Sequence, residues 1–139
     1  MKTFAKEYGF PTKGDGVVVD ITGHLSETLK ESGILNGQLN VIVPGSTAAI
    51  TTLEYEPGLA RDLPEFLEGI IPSNVAYRHD AAWGDGNGFS HLRSALIGPS
   101  MTIPVSGGRL VLGTWQQVVF LEFDNRPRDR KIHVSVIGE

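Results

Sequence analysis

The sequence predicts one domain that mixes β-strands with a few short helices, and three observations carry that prediction. The chain has 139 residues, the size of a single ordinary domain. Hydrophobic residues make up 40% and charged residues 20%, a globular balance, too apolar for disorder and too polar for a membrane span. Segments of β-branched, period-two patterning alternate with segments of helical spacing, without fixed repeats or low-complexity linkers. Residues 1–139 therefore read as one unit.

The elements follow in order. Lys2 to Phe10 is strand-compatible, and Pro11 to Gly16 punctuates it as a turn. Val17 to Ile21 is a second strand. Ile21, Leu25, Thr28 and Leu29 recur at helical spacing and predict a helix ended by Gly33, with His24 a partly exposed helical histidine. Leu39, Val41 and Val43 form a strand with at least one buried face, Pro44-Gly45-Ser46 interrupts it, and Thr47 to Leu53 is again β-rich. Apolar residues at 59, 63, 66, 67 and 70 predict a helix over 57–70, with Pro64 as a kink or boundary.

Beyond residue 100 the pattern returns to strands. Met101 to Val105 leads through a hairpin turn at Ser106–Arg109 into one long strand, Leu110 to Phe123. Gly113-Thr114 marks a bulge or a close backbone approach, and Trp115 reads as core or interface packing. Arg126, Arg128 and Arg130 crowd the next turn as a solvated tip that also has the reach to meet a phosphate. Ile132, Val134 and Val136 close the chain as a strand, with His133 on its polar face.

Composition excludes whole classes of function. Twelve Lys+Arg against 16 Asp+Glu leave a net charge of −4, which argues against a nucleic-acid or anionic-membrane binder. With no cysteine, disulfides, thiolate zinc sites and thiol catalysis are ruled out. The chain opens without a basic-plus-apolar leader, which predicts a cytoplasmic protein. Chemistry must come from imidazoles, carboxylates, hydroxyls, cationic side chains or a bound metal.

The 17 glycines are unevenly spread, and seven lie between Gly84 and Gly113. The run from Tyr77 to Pro99 gathers His79, His91, Asp80, Asp85, Asn87, Arg78 and Arg93. Leu92, Ala95 and Leu96 predict a short helix from about residue 89, capped by Asn87 or Ser90 and stopped by Gly98-Pro99. A glycine-rich loop then leads into a helix N-terminus, which favours an anion such as a phosphate. His91 sits in the first turn, and the preceding strand brings in His79. The glycines match neither the dinucleotide fingerprint nor a P-loop, and a calcium loop starting at Asp85 would end on Leu96. His79, His91 and Asp80 or Asp85 supply the donors of an open site for a divalent metal, zinc or magnesium.

The motifs Tyr77-Arg78-His79-Asp80, Trp83 to Gly88, Ser90-His91-Leu92, Gly98 to Pro104 and Gly113 to Gln117 resemble those of the YjbQ family. This uncharacterised family is also called the secondary thiamine-phosphate synthase family. The resemblance covers nearly the whole chain. It implies a compact α+β fold rich in antiparallel strands, assembled as a homotrimer with its site near the subunit interface. It also implies a weak or side transferase activity joining a pyrimidine diphosphate to a thiazole phosphate. Its polar cluster carries over to His79, Asp85, Asn87 and His91, with Glu54 and Ser100 as additions. Gly88, Ser90 and Arg93 join them as anion donors. Many members carry a histidine where this chain reads Gly45, before Ser46-Thr47-Ala48, so Ser46, Thr47 or Glu54 must take over that role if it exists here. The alternatives are a trimeric binder of a phosphorylated metabolite or a divalent metal, without turnover, and a metal-dependent hydrolase.

Overall fold

Period-two patterning builds the frame. The computed structural model describes residues 1–139, and the first alternating run becomes β1 (Lys2–Thr12), every second residue from Phe4 to Thr12 turned inward. β2 (Val17–Asp20) leads into α1 (Thr22–Ser32), which buries Leu25, Thr28 and Leu29 and ends at Gly33. His24 on this helix is partly exposed and stacks on Tyr8, ring centroids 4.1 Å apart. β3 (Gly37–Ile42) and β4 (Ala48–Leu53) flank the Pro44–Thr47 loop. Then come α2 (Pro57–Ile70), α3 (Arg78–Trp83), α4 (Gly88–Ile97), β5 (Ser100–Ser106), β6 (Arg109–Leu110), β7 (Gln117–Glu122) and β8 (Arg128–Gly138).

Every strand pairing is antiparallel, in a five-stranded sheet of order β1-β8-β3-β5-β6 and a three-stranded sheet β2-β7-β4. The sheets face each other across the main core: Leu39, Val41, Ile103, Ile132, Val134 and Val136 from the larger meet Ala48, Ile50, Val118 and Phe120 from the smaller. The far face of the smaller sheet, with Ala49, Val119, Leu121 and Phe123, is covered by Leu63 and Leu67 of α2 and Ile97 of α4. The fold is thus the expected single α+β domain of mostly antiparallel strands, with four helices. No helix is long and apolar enough to cross a membrane.

Three elements depart from the sequence reading. The strand expected over Leu110–Phe123 is broken at Val111–Gln116, where the chain crosses from the larger sheet to the smaller. Gly113 and Gln116 close a turn there, by Gln116 N–H to Gly113 O at 3.1 Å and Gly113 N–H to Gln116 Oε1 at 3.0 Å. Trp115 in this turn is exposed and not part of the core. Second, His79 sits on a helix, α3, and not on a strand. Asp80 starts that helix by accepting the Tyr77 N–H at 3.0 Å. Third, α4 is turned over. Leu92, Ala95 and Leu96, the residues that predict it, face solvent, while Phe89, Ser90, Arg93 and Ser94 face the core. Polar groups win that face because each finds a partner: Ser90 Oγ donates to Phe123 O, and Ser94 Oγ donates to Ala48 O at 2.6 Å.

Candidate functional site

The apolar strand β7 runs straight into two acids. Glu122 and Asp124 are both 0% exposed, at the same end of the sandwich as the start of β4 and of β8. A buried carboxylate is costly unless it is paired and hydrogen-bonded. Arg130 supplies the partner of Glu122, with Nε donating to Oε2 at 2.7 Å and Nη2 to Oε1 at 2.5 Å. Arg128 pairs with Asp124 through Nε at 2.8 Å and Nη2 at 2.6 Å. Thr12 Oγ1 donates to Glu122 at 2.7 Å. Thr47 links the two pairs: its hydroxyl accepts from Arg130 Nη2 at 2.8 Å and donates to Asp124 Oδ2 at 3.1 Å. Burial works to raise the Asp124 carboxyl, but the hydrogen bonds from Arg128 and Thr47 and the charge of Arg128 outweigh it and hold it below its ordinary value.

Asn87 joins this charged wall to the histidines. Its Nδ2 donates to Asp124 Oδ1 at 3.5 Å, and its Oδ1 lies 3.2 Å from His79 Nε2. A carboxylate only accepts, so the amide nitrogen must face Asp124 and the amide oxygen must face His79. The His79 Nε2–H therefore donates to the Asn87 amide oxygen. The His91 ring lies 4.4 Å from the His79 ring, centroid to centroid, tilted by 55°. Burial and the neighbouring His79 push the His91 imidazole below its ordinary value, against the opposing pull of Asp124 and Asp85.

The two imidazoles stand between two clefts. The smaller, about 350 Å³, is lined by Gly45, Ser46, Thr47, Asp85, Arg128 and Arg130 as well as both histidines. The larger, about 670 Å³, is lined by the same histidines with Tyr77, Arg78, Gly88 and Leu92. His79, His91, Asp85 and Asn87 are therefore brought together as the sequence reading expects.

The remaining candidates are placed elsewhere or used otherwise. The N-terminus of α4 is already occupied, because Gly88 N–H donates to Asp80 Oδ1 at 2.9 Å. The N–H groups of Tyr77 and Gly88 hold Asp80 below the usual carboxylate range. A side chain at Gly88 would strike Tyr77 Cβ at 2.7 Å, so this glycine serves the contact between α3 and α4. Neither Asn87 nor Ser90 caps the helix through its side chain. Arg93 is 1% exposed and binds Glu68, Asp15 and the Ile71 carbonyl, so it staples α4 to the end of α2 and lines neither cleft. Ser100 lies on the solvent face of the larger sheet and accepts from Asn40 Nδ2 at 3.1 Å. Glu54 follows the opposite end of β4 from Thr47 and lines neither cleft. The metal set fails too: His79, His91 and Asp85 line one cleft, but no three His, Asp or Glu side chains converge as ligands.

Sequence reasoning missed Glu122 and Asp124, and with them the pairing that fixes Arg128, Arg130 and Thr47 in the wall of the cleft. A signal was present. Two acids spaced two apart close a run of apolar strand residues, and two arginines spaced two apart follow the turn. Acids continuing a buried strand demand cationic partners, and the cationic residues that follow the turn supply them. Arg128 and Arg130 open β8 and are not part of a solvated tip.

Comparison with known proteins agrees with the fold. Residues 6–139 match the family model described as UPF0047 protein YjbQ-like. A UPF0047 protein of Methanothermobacter thermautotrophicus is 43% identical over 139 residues, 100% of this chain and 95% of that protein. The UPF0047 protein YugU of Bacillus subtilis is 35% identical, over 91% of this chain and 93% of its own length. Among solved structures, a YbjQ-like protein of unknown function from Sulfolobus solfataricus superposes with a TM-score of 0.89 at 30% identity, covering 99% of this chain and 100% of that one. An uncharacterised conserved protein of the YjbQ/UPF0047 family from Clostridium acetobutylicum gives 0.87 at 37% identity, covering 95% and 99%. On its whole-length similarity in sequence and in fold, the chain belongs to the YjbQ-like UPF0047 family.

Proposed function

We propose that this chain is an enzyme acting on a phosphorylated small molecule, with the joining of a pyrimidine diphosphate to a thiazole phosphate as its reaction. One observation carries the reading: His79 and His91 line both clefts, one walled by guanidinium groups and the other by Tyr77, Arg78 and Leu92. That geometry suits two reactants meeting at the imidazoles, with the anionic part of one held on the arginine side. In the reaction the thiazole nitrogen bonds to the pyrimidine methylene carbon while the carbon–oxygen bond to pyrophosphate breaks. The bonding pair leaves with the pyrophosphate, so the protein must align the reactants and hold the departing anion. The exposed stripe Leu92, Ala95 and Leu96 adjoins the larger cleft through Leu92, which supports a homotrimer whose subunits close the site.

Purified protein supplied with both phosphorylated precursors should form the coupled product, detected by mass spectrometry. His91→Ala should reduce the rate by at least about 100-fold. Binding of the precursors without product would make the chain a binder and not an enzyme. An unchanged rate in His91→Ala would remove the site assignment.

A further inference from the structure

We infer that the Gly45–Thr47 loop and the unused Nη1 of Arg130 form a cradle for a tetrahedral oxyanion, the phosphoryl group of the substrate. The inference rests on the reading above and names where the phosphate is held.

Arg130 is 8% exposed. Its Nε and Nη2 are spent on Glu122 and Thr47, whereas Nη1 donates to nothing in the chain. No fully buried side-chain nitrogen lacks a partner, so Nη1 must reach solvent, and the smaller cleft is the solvent space that Arg130 lines. Gly45 is what keeps it uncovered. Its φ of 132° disfavours any side chain, and a Cβ there would stand 3.2 Å from Nη1. The backbone continues the pattern, because the N–H groups of Gly45, Ser46 and Thr47 donate to no other group of the chain. Three successive free N–H groups beside an unused guanidinium edge are the parts of an anion nest.

The charges agree. Glu122 and Asp124 are already neutralised by Arg130 and Arg128, and Nη1 of Arg128, which also lines the cleft, is unused as well. The only carboxylate lining the cleft is Asp85, which is exposed, where water screens it. The anion site expected at the start of α4 is filled by Asp80, so this loop is the place in the cleft where donors remain free.

The test is titration of the full-length chain with inorganic phosphate and with pyrophosphate, read by calorimetry and by the side-chain 15N signals of Arg130. Ser46 is exposed on the loop, so Ser46→Glu places a carboxylate at the cradle without disturbing the core, and Ser46→Gln adds similar bulk without charge. Saturable binding to the wild type that shifts the Arg130 signals, weakened at least tenfold by Ser46→Glu and less than threefold by Ser46→Gln, supports the cradle. Absent saturable binding, or affinity unchanged in Ser46→Glu, overturns it. A chain that binds phosphate through this loop yet converts neither precursor defeats the enzymatic reading and leaves the cradle standing. Turnover unimpaired in Ser46→Glu does the reverse.

Discussion

The Oδ1 of Asn87 lies 3.2 Å from Nε2 of His79, and the opposite arm of the same amide is held by Asp124. One asparagine thereby assigns the histidine tautomer. Asn87→Ala should lower the coupling rate about 10–100-fold by freeing the His79 ring, an effect of the size seen when the group orienting a functional histidine is lost. Nitrogen NMR of the imidazole should show the fixed Nε2–H form in the wild type and a tautomer mixture in the variant. An unmixed Nε2–H form in Asn87→Ala would show that Asn87 does not set it.

His91 gives a pH dependence of definite sign. Its folded pKa lies below the ordinary value of 6.5, through burial and the neighbouring His79. Between those two values the unfolded chain binds more protons than the folded one. Stability should therefore be undiminished above pH 6.5 and fall as pH drops through the window toward the lower folded pKa. His91→Gln should remove that slope in denaturant titrations at stepped pH. The lowered Asp124 carboxyl acts separately, its contribution being lost only below its ordinary value of 3.8, as pH falls through the folded pKa.

Glu122 and Arg130 should behave as a buried pair. Glu122→Gln leaves the guanidinium of a residue only 8% exposed without its counter-charge. A loss of about 3–5 kcal/mol is expected, measurable by urea unfolding. A change below 1 kcal/mol would mean that water reaches this pair freely.

Arg93 should matter to stability and not to phosphate. Its guanidinium donates to Ile71 O through Nε at 3.1 Å and Nη2 at 2.8 Å and pairs with Glu68 at 2.7 Å. Arg93→Met should cost about 2–3 kcal/mol, while phosphate affinity stays as in the wild type. Arg93→Lys keeps the charge but not the fork, and an intermediate loss is expected.

The exposed leucines test assembly. Leu96 on α4 is 60% exposed and Leu92 is 47% exposed. If they form the trimer contact, Leu96→Glu should sediment as a monomer with unchanged circular dichroism, while the wild type sediments as a trimer. A wild-type monomer removes the trimer, and a variant that remains trimeric moves its interface elsewhere.

Much of the frame was legible along the chain. The helix over residues 57–70 holds despite Pro64, because Pro57 and the Glu56 carboxylate, which accepts from Gly58 and Leu59, start it firmly. The grouping of His79, Asp85, Asn87 and His91 was also legible, since a short glycine-rich loop keeps them near one another in sequence. The orientation of α4 was not. Its apolar spacing is genuine, but hydroxyls and a guanidinium that find partners on α2, β4 and Phe123 take the inner face instead.

The sequence by itself determined most of the element types and their order, the family and the histidine loop, because these depend on residues a few positions apart. It did not determine the helix that carries His79 or the break at Val111–Gln116. Only the tertiary structure decided which wall faces those histidines. Thr12 meets Glu122, and Thr47 meets Arg130, contacts between segments that only sheet register brings together. Buried charges are satisfied across such distances, and no periodicity along the chain encodes the match. For the same reason the Gly88 N–H at the start of α4 is already taken by Asp80, whereas the N–H groups of the Gly45–Thr47 loop have no partner in the chain.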